Sequence, residues 1–235
     1  MKLYAFSDFH HTGNPPTKPM DIFGENWKNH REKILSAWKE TITAGDTVIM
    51  AGDISWATHL EDALSDLKTL SALPGRKIIV RGNHDYWWNT VSKMKRMTDN
   101  AFEFIFNSAL SVENIALAGT RGWIPETSKK ITEEDKVIIL REQGRLERSL
   151  IEAEKFNCEK IFAILHYPPF DEQRRPTKMM EIMRSHGVTD CIYGHIHGKQ
   201  NFNNLPKELE GIQLHLTSSD YLDFKPLLLT EWNES

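Results

Sequence analysis

A series of short apolar runs in this chain each stop at a glycine or at a side chain that binds hard metal ions. Residues 2–7 run into Asp8-Phe9-His10, and 47–51 run into Gly52-Asp53. Residues 77–81 run into Gly82-Asn83-His84-Asp85, 160–165 into His166, and 190–193 into Gly194-His195-Ile196-His197. Longer segments with helical spacing lie between them. Trp27, Ile34, Leu35, Trp38 and Ile42 recur near helical spacing over 27–42, and 59–73 is patterned likewise until Pro74-Gly75 stops it. This strand–helix alternation predicts parallel strands joined by right-handed crossovers. Sheets built that way bind ligands at the carboxyl ends of their strands, which is where these oxygen and nitrogen donors fall.

The remaining pattern is less regular. Asp85 is placed to cap a helix running to Met97. Residues 102–106 and 115–118 read as strands, antiparallel around Glu113-Asn114. Residues 132–156 read as one long helix or a pair, with Gly144 marking a break, since an interior glycine costs about 1 kcal/mol relative to alanine. A helix over 177–186 ends at Gly187, and 212–217 and 227–230 are closing strands. The loop 11–26, with Gly13, three prolines and Gly24, is long enough to serve as a cover near the site. At 235 residues, with 40% hydrophobic and 26% charged content, the chain can bury a real core and reads as a single α/β domain over 1–235.

Charge narrows the partners. The formal net charge of -4 offers no basic excess, which argues against extended nucleic-acid binding by counterion release. A small phosphorylated substrate is compatible, because a local site can be positive on a mildly acidic protein. Cys158 and Cys191 have no framework spacing and read as reduced, buried thiols. Met1-Lys2 leads directly into a strand-like run rather than a signal sequence, and no stretch has membrane length. The expectation is a cytoplasmic protein without a membrane partner.

The donors imply a particular chemistry. Asp8 and His10 are separated by one residue, so an extended chain would point both side chains the same way, and His195 and His197 repeat that spacing. Carboxylate oxygen with imidazole nitrogen suits manganese, iron or zinc rather than calcium. Asp53 can bridge two cations, while Asn83 brings a neutral amide oxygen. Two divalent ions, two carboxylates and a bridging hydroxide leave a formal charge of about +1, which attracts an anion. A metal pair roughly 3.5–4 Å apart suits in-line displacement at phosphorus. His84, directly after Asn83, need not bind metal and can serve the leaving group as a general acid.

Taken in order, the motifs D-x-H, G-D, G-N-H-[ED], H and G-H-x-H from Asp8 to His197 resemble those of the calcineurin-like metallophosphoesterase superfamily. The resemblance implies a four-layer α/β/β/α sandwich of two mixed sheets flanked by helices. It implies two divalent or mixed-valence metal ions, manganese, iron or zinc. By motif position Asp8, His10 and His197 would bind the first ion, Asn83, His166 and His195 the second, and Asp53 both. His84 would be the catalytic histidine, assisting the leaving group as a metal-bridging hydroxide attacks a phosphodiester or small phosphomonoester. Protein Ser/Thr phosphatases of this superfamily carry an acidic residue three positions after the bridging Asp, then Arg. Here those positions are Trp56 and Ala57. That departure argues against a protein phosphatase and leaves open what orients His84. Asp85 replaces the commoner Glu.

Arg121, Trp123, Arg174 and Arg175 lie on loops near the expected mouth and are candidate substrate contacts, since guanidinium forks suit phosphate. The plainer reading of each arginine is a solvated loop charge. Trp56, Trp87, Trp88 and Trp123 would form either an aromatic wall or core packing. His11 should point away from His10, while His30, His59, His186 and His215 have no partner motif. A non-catalytic metal-binding scaffold is the alternative from another class, though scaffolds of this kind typically go with eroded ligands. A nuclease is a third reading, but this length leaves little room for DNA-binding regions.

Overall fold

The run Leu3-Tyr4-Ala5-Phe6 is buried on both faces, the pattern of a strand inside a sheet rather than at its rim. The computed structural model describes residues 1–13 and 16–232. In chain order the elements are β1 (Lys2–Phe6), α1 (His30–Thr41), β2 (Thr47–Met50), α2 (Leu60–Ser71), β3 (Arg76–Ile79), α3 (Val91–Met97) and β4 (Glu103–Phe104). They continue with β5 (Ala109–Val112), β6 (Ile115–Thr120), α4 (Glu133–Glu154), β7 (Lys160–Leu165), α5 (Lys178–Ser185) and β8 (Val188–Tyr193). The last are β9 (Glu208–Leu209), β10 (Ile212–Leu216) and β11 (Leu227–Glu231). None of the described helices is long and apolar enough to cross a membrane.

Backbone contacts gather the chain into two units, one from Met1–Phe104 with the segment from Thr217 onward, the other Ile105–Leu216. The first holds a five-stranded sheet in the order β11-β1-β2-β3-β4. Its β1, β2, β3 and β4 pair in parallel, and β11 closes the edge antiparallel to β1. Ile34 and Trp38 of α1 and Leu60, Ala63, Leu67 and Leu70 of α2 bury their apolar faces with the strand residues Tyr4, Phe6, Val48, Met50 and Ile79. Phe9 belongs to the same core, edge-on to Phe6 at 4.9 Å and to Trp38 at 6.2 Å.

The second unit holds a six-stranded sheet in the order β5-β6-β7-β8-β10-β9. The central run β6-β7-β8-β10 is parallel, with antiparallel strands at both edges. Leu146, Leu150 and Ala153 of α4 and Met179, Met180 and Met183 of α5 pack with Ala118, Ala163, Leu165, Cys191 and Tyr193. Two mixed sheets flanked by helices are therefore present, as the motif resemblance implied.

Several local expectations need correction. The strand opposite β6 around Glu113-Asn114 is β5, while the 102–106 region supplies β4, which pairs with β3. α4 runs unbroken through Gly144. Its buried stripe of Ile139, Glu142, Leu146, Ser149, Leu150 and Ala153 outweighs one poor helix former. A capping box starts it, with Thr132 Oγ1 accepting the Asp135 N–H and Asp135 Oδ2 accepting the Thr132 N–H. α3 starts at Val91 behind Thr90, whose hydroxyl accepts the Lys93 N–H, so Asp85 is not its cap. α1 starts at His30, because Trp27 closes a separate 3-10 turn, Glu25–Trp27. Asn14 and Pro15 of the expected cover lie outside the described residues; the rest of that loop contains the 3-10 turns Asp21–Phe23 and Glu25–Trp27. Cys191 is buried, but Cys158 is only half-buried.

Candidate metal centre

Pairing between the segments after β1 and β2 continues beyond both strands and aligns their donors. The Asp8 N–H donates to the Gly52 carbonyl at 3.0 Å and the His10 N–H to the Asp53 carbonyl at 3.0 Å. Further out, the His11 N–H reaches the Ile54 carbonyl and the Trp56 N–H returns to the His11 carbonyl at 2.9 Å. Asp8, His10 and Asp53 take φ values of 59°, 48° and 55°. The expectation of an extended Asp8-Phe9-His10 is thus wrong: left-handed residues, with Phe9 anchored in the core between them, re-aim the donors. Such conformations are uncommon for residues other than glycine, and Asp and His are among those that adopt them most readily.

The result is a buried acidic pocket in the first unit. Asp8 is 0% and Asp53 1% exposed. A carboxylate oxygen of each lies within 4.8 Å of the other, and His10 Nε2 stands 3.8 Å from both Asp8 Oδ1 and Asp53 Oδ2. The Ser7 hydroxyl donates to Asp8 Oδ2 at 2.5 Å. Ser7 is itself pinned through its N–H to the Thr217 carbonyl and through its carbonyl to the N–H and hydroxyl of Ser219.

The loop after β3 brings Gly82, Asn83, His84 and Asp85 to the same place. A Cβ on Gly82 would collide with the backbone nitrogen and carboxylate of Asp53, so only glycine permits this approach. The His84 N–H donates to Asp53 Oδ1 at 2.8 Å. Asn83 and His84 are half-buried. The His84 ring lies over the Trp56 indole, with centroids 4.0 Å apart. Asp85 is 0% exposed and joins the two loops. Its carboxylate accepts N–H groups from Asp53 at 2.9 Å, Ile54 at 2.9 Å, Ser55 at 3.3 Å and Gly82 at 2.7 Å, and the Trp87 indole N–H at 3.0 Å. Nothing in the sequence distinguished this clamp from a helix cap, because both uses need an acceptor beside free N–H groups.

The second unit presents three histidines at strand ends. His166 follows β7 directly and is fully buried. Its N–H donates to the Arg121 carbonyl at 3.0 Å, and its carbonyl accepts the Gly194 N–H at 3.1 Å. That second bond draws the loop after β8 alongside, so His195 Nδ1 comes within 3.3 Å of His166 Nε2. His195 has φ 71°, again left-handed rather than extended. Tyr167, which sequence reasoning passed over, lies over the His195 ring at 4.0 Å. The His197 carbonyl accepts the Asn201 side-chain N–H at 2.7 Å. His195 and His197 line a cleft of about 390 Å3, whose walls include Tyr167, Phe170, Arg174 and Asn201.

The four loop candidates separate by their contacts. Arg121 is turned toward the fully buried Glu142 at 3.5 Å and lies over Trp123 at 4.3 Å. Trp123 donates its indole N–H to Asp135 at 2.8 Å and packs on Tyr167. Arg175 is held by Asp171 at 2.8 Å. Burial pushes the Asp171 carboxyl up, but hydrogen bonds from Arg175, Gln173 and Thr127 outweigh it and hold the group below its usual range. Arg174 alone of the four lines the cleft with His195 and His197; its guanidinium lies over Phe170 at 5.3 Å.

The aromatic-wall expectation divides as well. Trp87 is 1% exposed and belongs to the core, and Trp88 packs edge-on to Phe104 at 5.4 Å. His11 is fully buried, and desolvation holds its pKa well below the usual histidine value. His186 pairs with Glu154 and His215 with Asp190, so both serve local structure.

The donor chemistry fits metal ions. Two buried carboxylates this close repel one another unless positive charge lies between them. Two facing imidazole nitrogens likewise favour a shared electrophile. Mixed oxygen and nitrogen donors match first-row transition ions.

The sequence matches the family model for calcineurin-like phosphoesterases over residues 1–199. No curated protein sequence matches it significantly. Among solved structures it is similar to a phosphopantetheinyl hydrolase from Mycobacterium tuberculosis, with a TM-score of 0.55 and 14% identity over 100% of this chain and 98% of that one. It is similar to a protein of unknown function from Aquifex aeolicus, with a TM-score of 0.53 and 19% identity over 97% and 95%. The calcineurin-like phosphoesterase YfkN from Bacillus subtilis gives a TM-score of 0.52 and 12% identity over 100% and 86%. At these identities the likeness is one of fold.

Proposed function

The chain belongs to the calcineurin-like phosphoesterase family, and from that membership we propose a metal-dependent phosphohydrolase acting on a phosphodiester or a small phosphomonoester. The observation that carries this reading is the buried Asp8–His10–Asp53 group, with one imidazole nitrogen 3.8 Å from both carboxylates. By motif position, Asp8, His10 and His197 would hold one ion and Asn83, His166 and His195 the other, with Asp53 serving both. The family match runs through both compact units, which supports treating the whole chain as one functional domain. Bound ions supply Lewis acidity for the phosphoryl oxygens and lower the pKa of water toward neutrality.

The chain's own groups do the rest. The Ser7 hydroxyl holds Asp8, and the His84 N–H fixes one oxygen of Asp53, so each carboxylate presents a chosen face. In hydrolysis a water oxygen bonds to phosphorus and the bond to the leaving oxygen breaks. His84 delivers the proton that the leaving oxygen needs. Arg174, in the cleft beside His195 and His197, holds the substrate's anionic part.

The test is turnover of bis-p-nitrophenyl phosphate and p-nitrophenyl phosphate by protein loaded with Mn, Fe, Co, Ni or Zn, alongside elemental analysis. Two bound ions with hydrolysis of either ester support the reading. Two bound ions with no hydrolysis under any metal would remove it and favour the scaffold alternative.

A further inference from the structure

Trp56 and His84 come from the loops after β2 and β3, and their rings overlie each other at a tilt, with centroids 4.0 Å apart and 31° between the planes. Building on the function proposed above, we propose that Trp56 is the positioning residue for His84, with an aromatic face doing what a hydrogen-bonding carboxylate would do elsewhere. The third residue after Asp53, where the protein phosphatases carry an acid, is Trp56 itself.

The stack acts on the His84 ring, while a hydrogen bond acts on its backbone. The His84 backbone is held by its N–H to Asp53 Oδ1 at 2.8 Å, and the Trp56 backbone by its N–H to the His11 carbonyl at 2.9 Å. Asp85 ties both loops together through Asp53, Ile54, Ser55 and Gly82. The outer torsion of an imidazole is intrinsically broad. A flat partner at stacking distance restricts rotation about it. His10 meets the same ring edge-on at 5.7 Å and Tyr86 at 6.2 Å. Trp56 adds a third and closer ring contact, at 4.0 Å.

Trp56 is itself braced. Its ring lies 5.5 Å from His10, and Lys18 Nζ stands 4.9 Å from its centroid. Its indole nitrogen is buried without a hydrogen-bond partner among the described residues. The side chain therefore contributes its face rather than its polar edge, which is what a stacking role requires.

The experiment compares wild type, Trp56→Leu, Trp56→Phe and His84→Gln. Leucine fills apolar space without a flat ring; phenylalanine restores a face without the N–H. With manganese-loaded protein and bis-p-nitrophenyl phosphate, Trp56→Leu should lower kcat roughly 10- to 100-fold, the scale of a misplaced catalytic group, with KM and bound metal unchanged. Trp56→Phe should recover most of that loss. A second readout needs no activity: in metal-free protein with ring-labelled histidines, the NMR signal absent from His84→Gln is that of His84. That signal should move downfield in Trp56→Leu, as indole shielding is lost, and return part of the way in Trp56→Phe. Wild-type kcat in Trp56→Leu, metal lost in step with activity, or an unmoved His84 signal would each overturn the proposal. Absence of wild-type turnover strikes the phosphohydrolase reading instead, and the NMR comparison still decides whether Trp56 holds the ring.

Discussion

Asp85 Oδ2 accepts the backbone N–H of Asp53 at 2.9 Å, so a residue just beyond one strand fixes the main chain of a donor just beyond the next. Four further N–H groups converge on the same carboxylate, which is wholly buried. Asp85→Asn turns one of its oxygens into a donor facing other donors. It should lower the free energy of unfolding by about 2–4 kcal/mol, on the scale of losing charged hydrogen bonds and leaving buried groups unsatisfied. Urea denaturation measures this, and an unchanged midpoint would show that the clamp contributes nothing.

The acidic pocket should make thermal stability depend on metal. An ion bound at about 100 times its Kd stabilises the folded state by about 2.7 kcal/mol. Added manganese should raise the Tm of the metal-stripped protein, and the rise should shrink sharply in Asp53→Asn and His10→Ala. Calorimetry with and without a chelator reads it directly.

His84 is predicted to serve chemistry rather than metal retention. His84→Gln should keep both ions and lose about 100- to 10,000-fold in kcat, the range for a lost general acid. Elemental analysis beside steady-state kinetics checks this; parallel loss of metal and activity would reassign His84 as a ligand.

The three arginines should diverge. Arg174→Ala should raise KM about 10- to 100-fold, the equivalent of one charge-assisted hydrogen bond, with a smaller change in kcat. Arg175→Ala removes a partner of Asp171 and should leave KM near wild type. Arg121→Ala weakens the charge balance of buried Glu142 and should show mainly as a lower Tm. Equal KM effects in all three would contradict the contacts described above.

Asp190 and His215 pair at 2.8 Å. Burial pushes the Asp190 carboxyl up, but the bonds from His215 and Thr189 and the charges of His215 and Lys160 outweigh it, so the net shift is downward. A carboxyl held below its unfolded value stabilises the fold above the unfolded pKa of about 3.9 and loses that contribution as pH falls through its folded value. Asp190→Asn should therefore be less stable than wild type at neutral pH, and the gap should close below about pH 4. Unfolding midpoints across that range measure it.

Much of the first sheet was legible because its strands are unbroken apolar runs and its helices carry clear periodicity. The long α4 was legible too, but not its continuity through Gly144, since local propensity cannot report the stripe buried against the sheet. The hairpin of β5 and β6 was misplaced by several residues because β5 alternates little and is mostly half-buried. Asp85 was misread because an acid beside free N–H groups looks the same whether those groups begin a helix or belong to a neighbouring loop. Arg121, Arg174 and Arg175 were indistinguishable as letters; their partners Glu142, Phe170 and Asp171 separate them.

By itself, the order of residues determined which atoms are offered, because Asp, Asn and His carry their donor chemistry wherever they stand and strand ends follow from apolar patterning. Only the tertiary structure decided how those atoms are aimed. The left-handed turns at Asp8, His10, Asp53 and His195, the glycine gap at Gly82 and the Trp56 face over His84 all arise from loops distant in sequence meeting at contact distance, and contact is a property of space rather than of spacing.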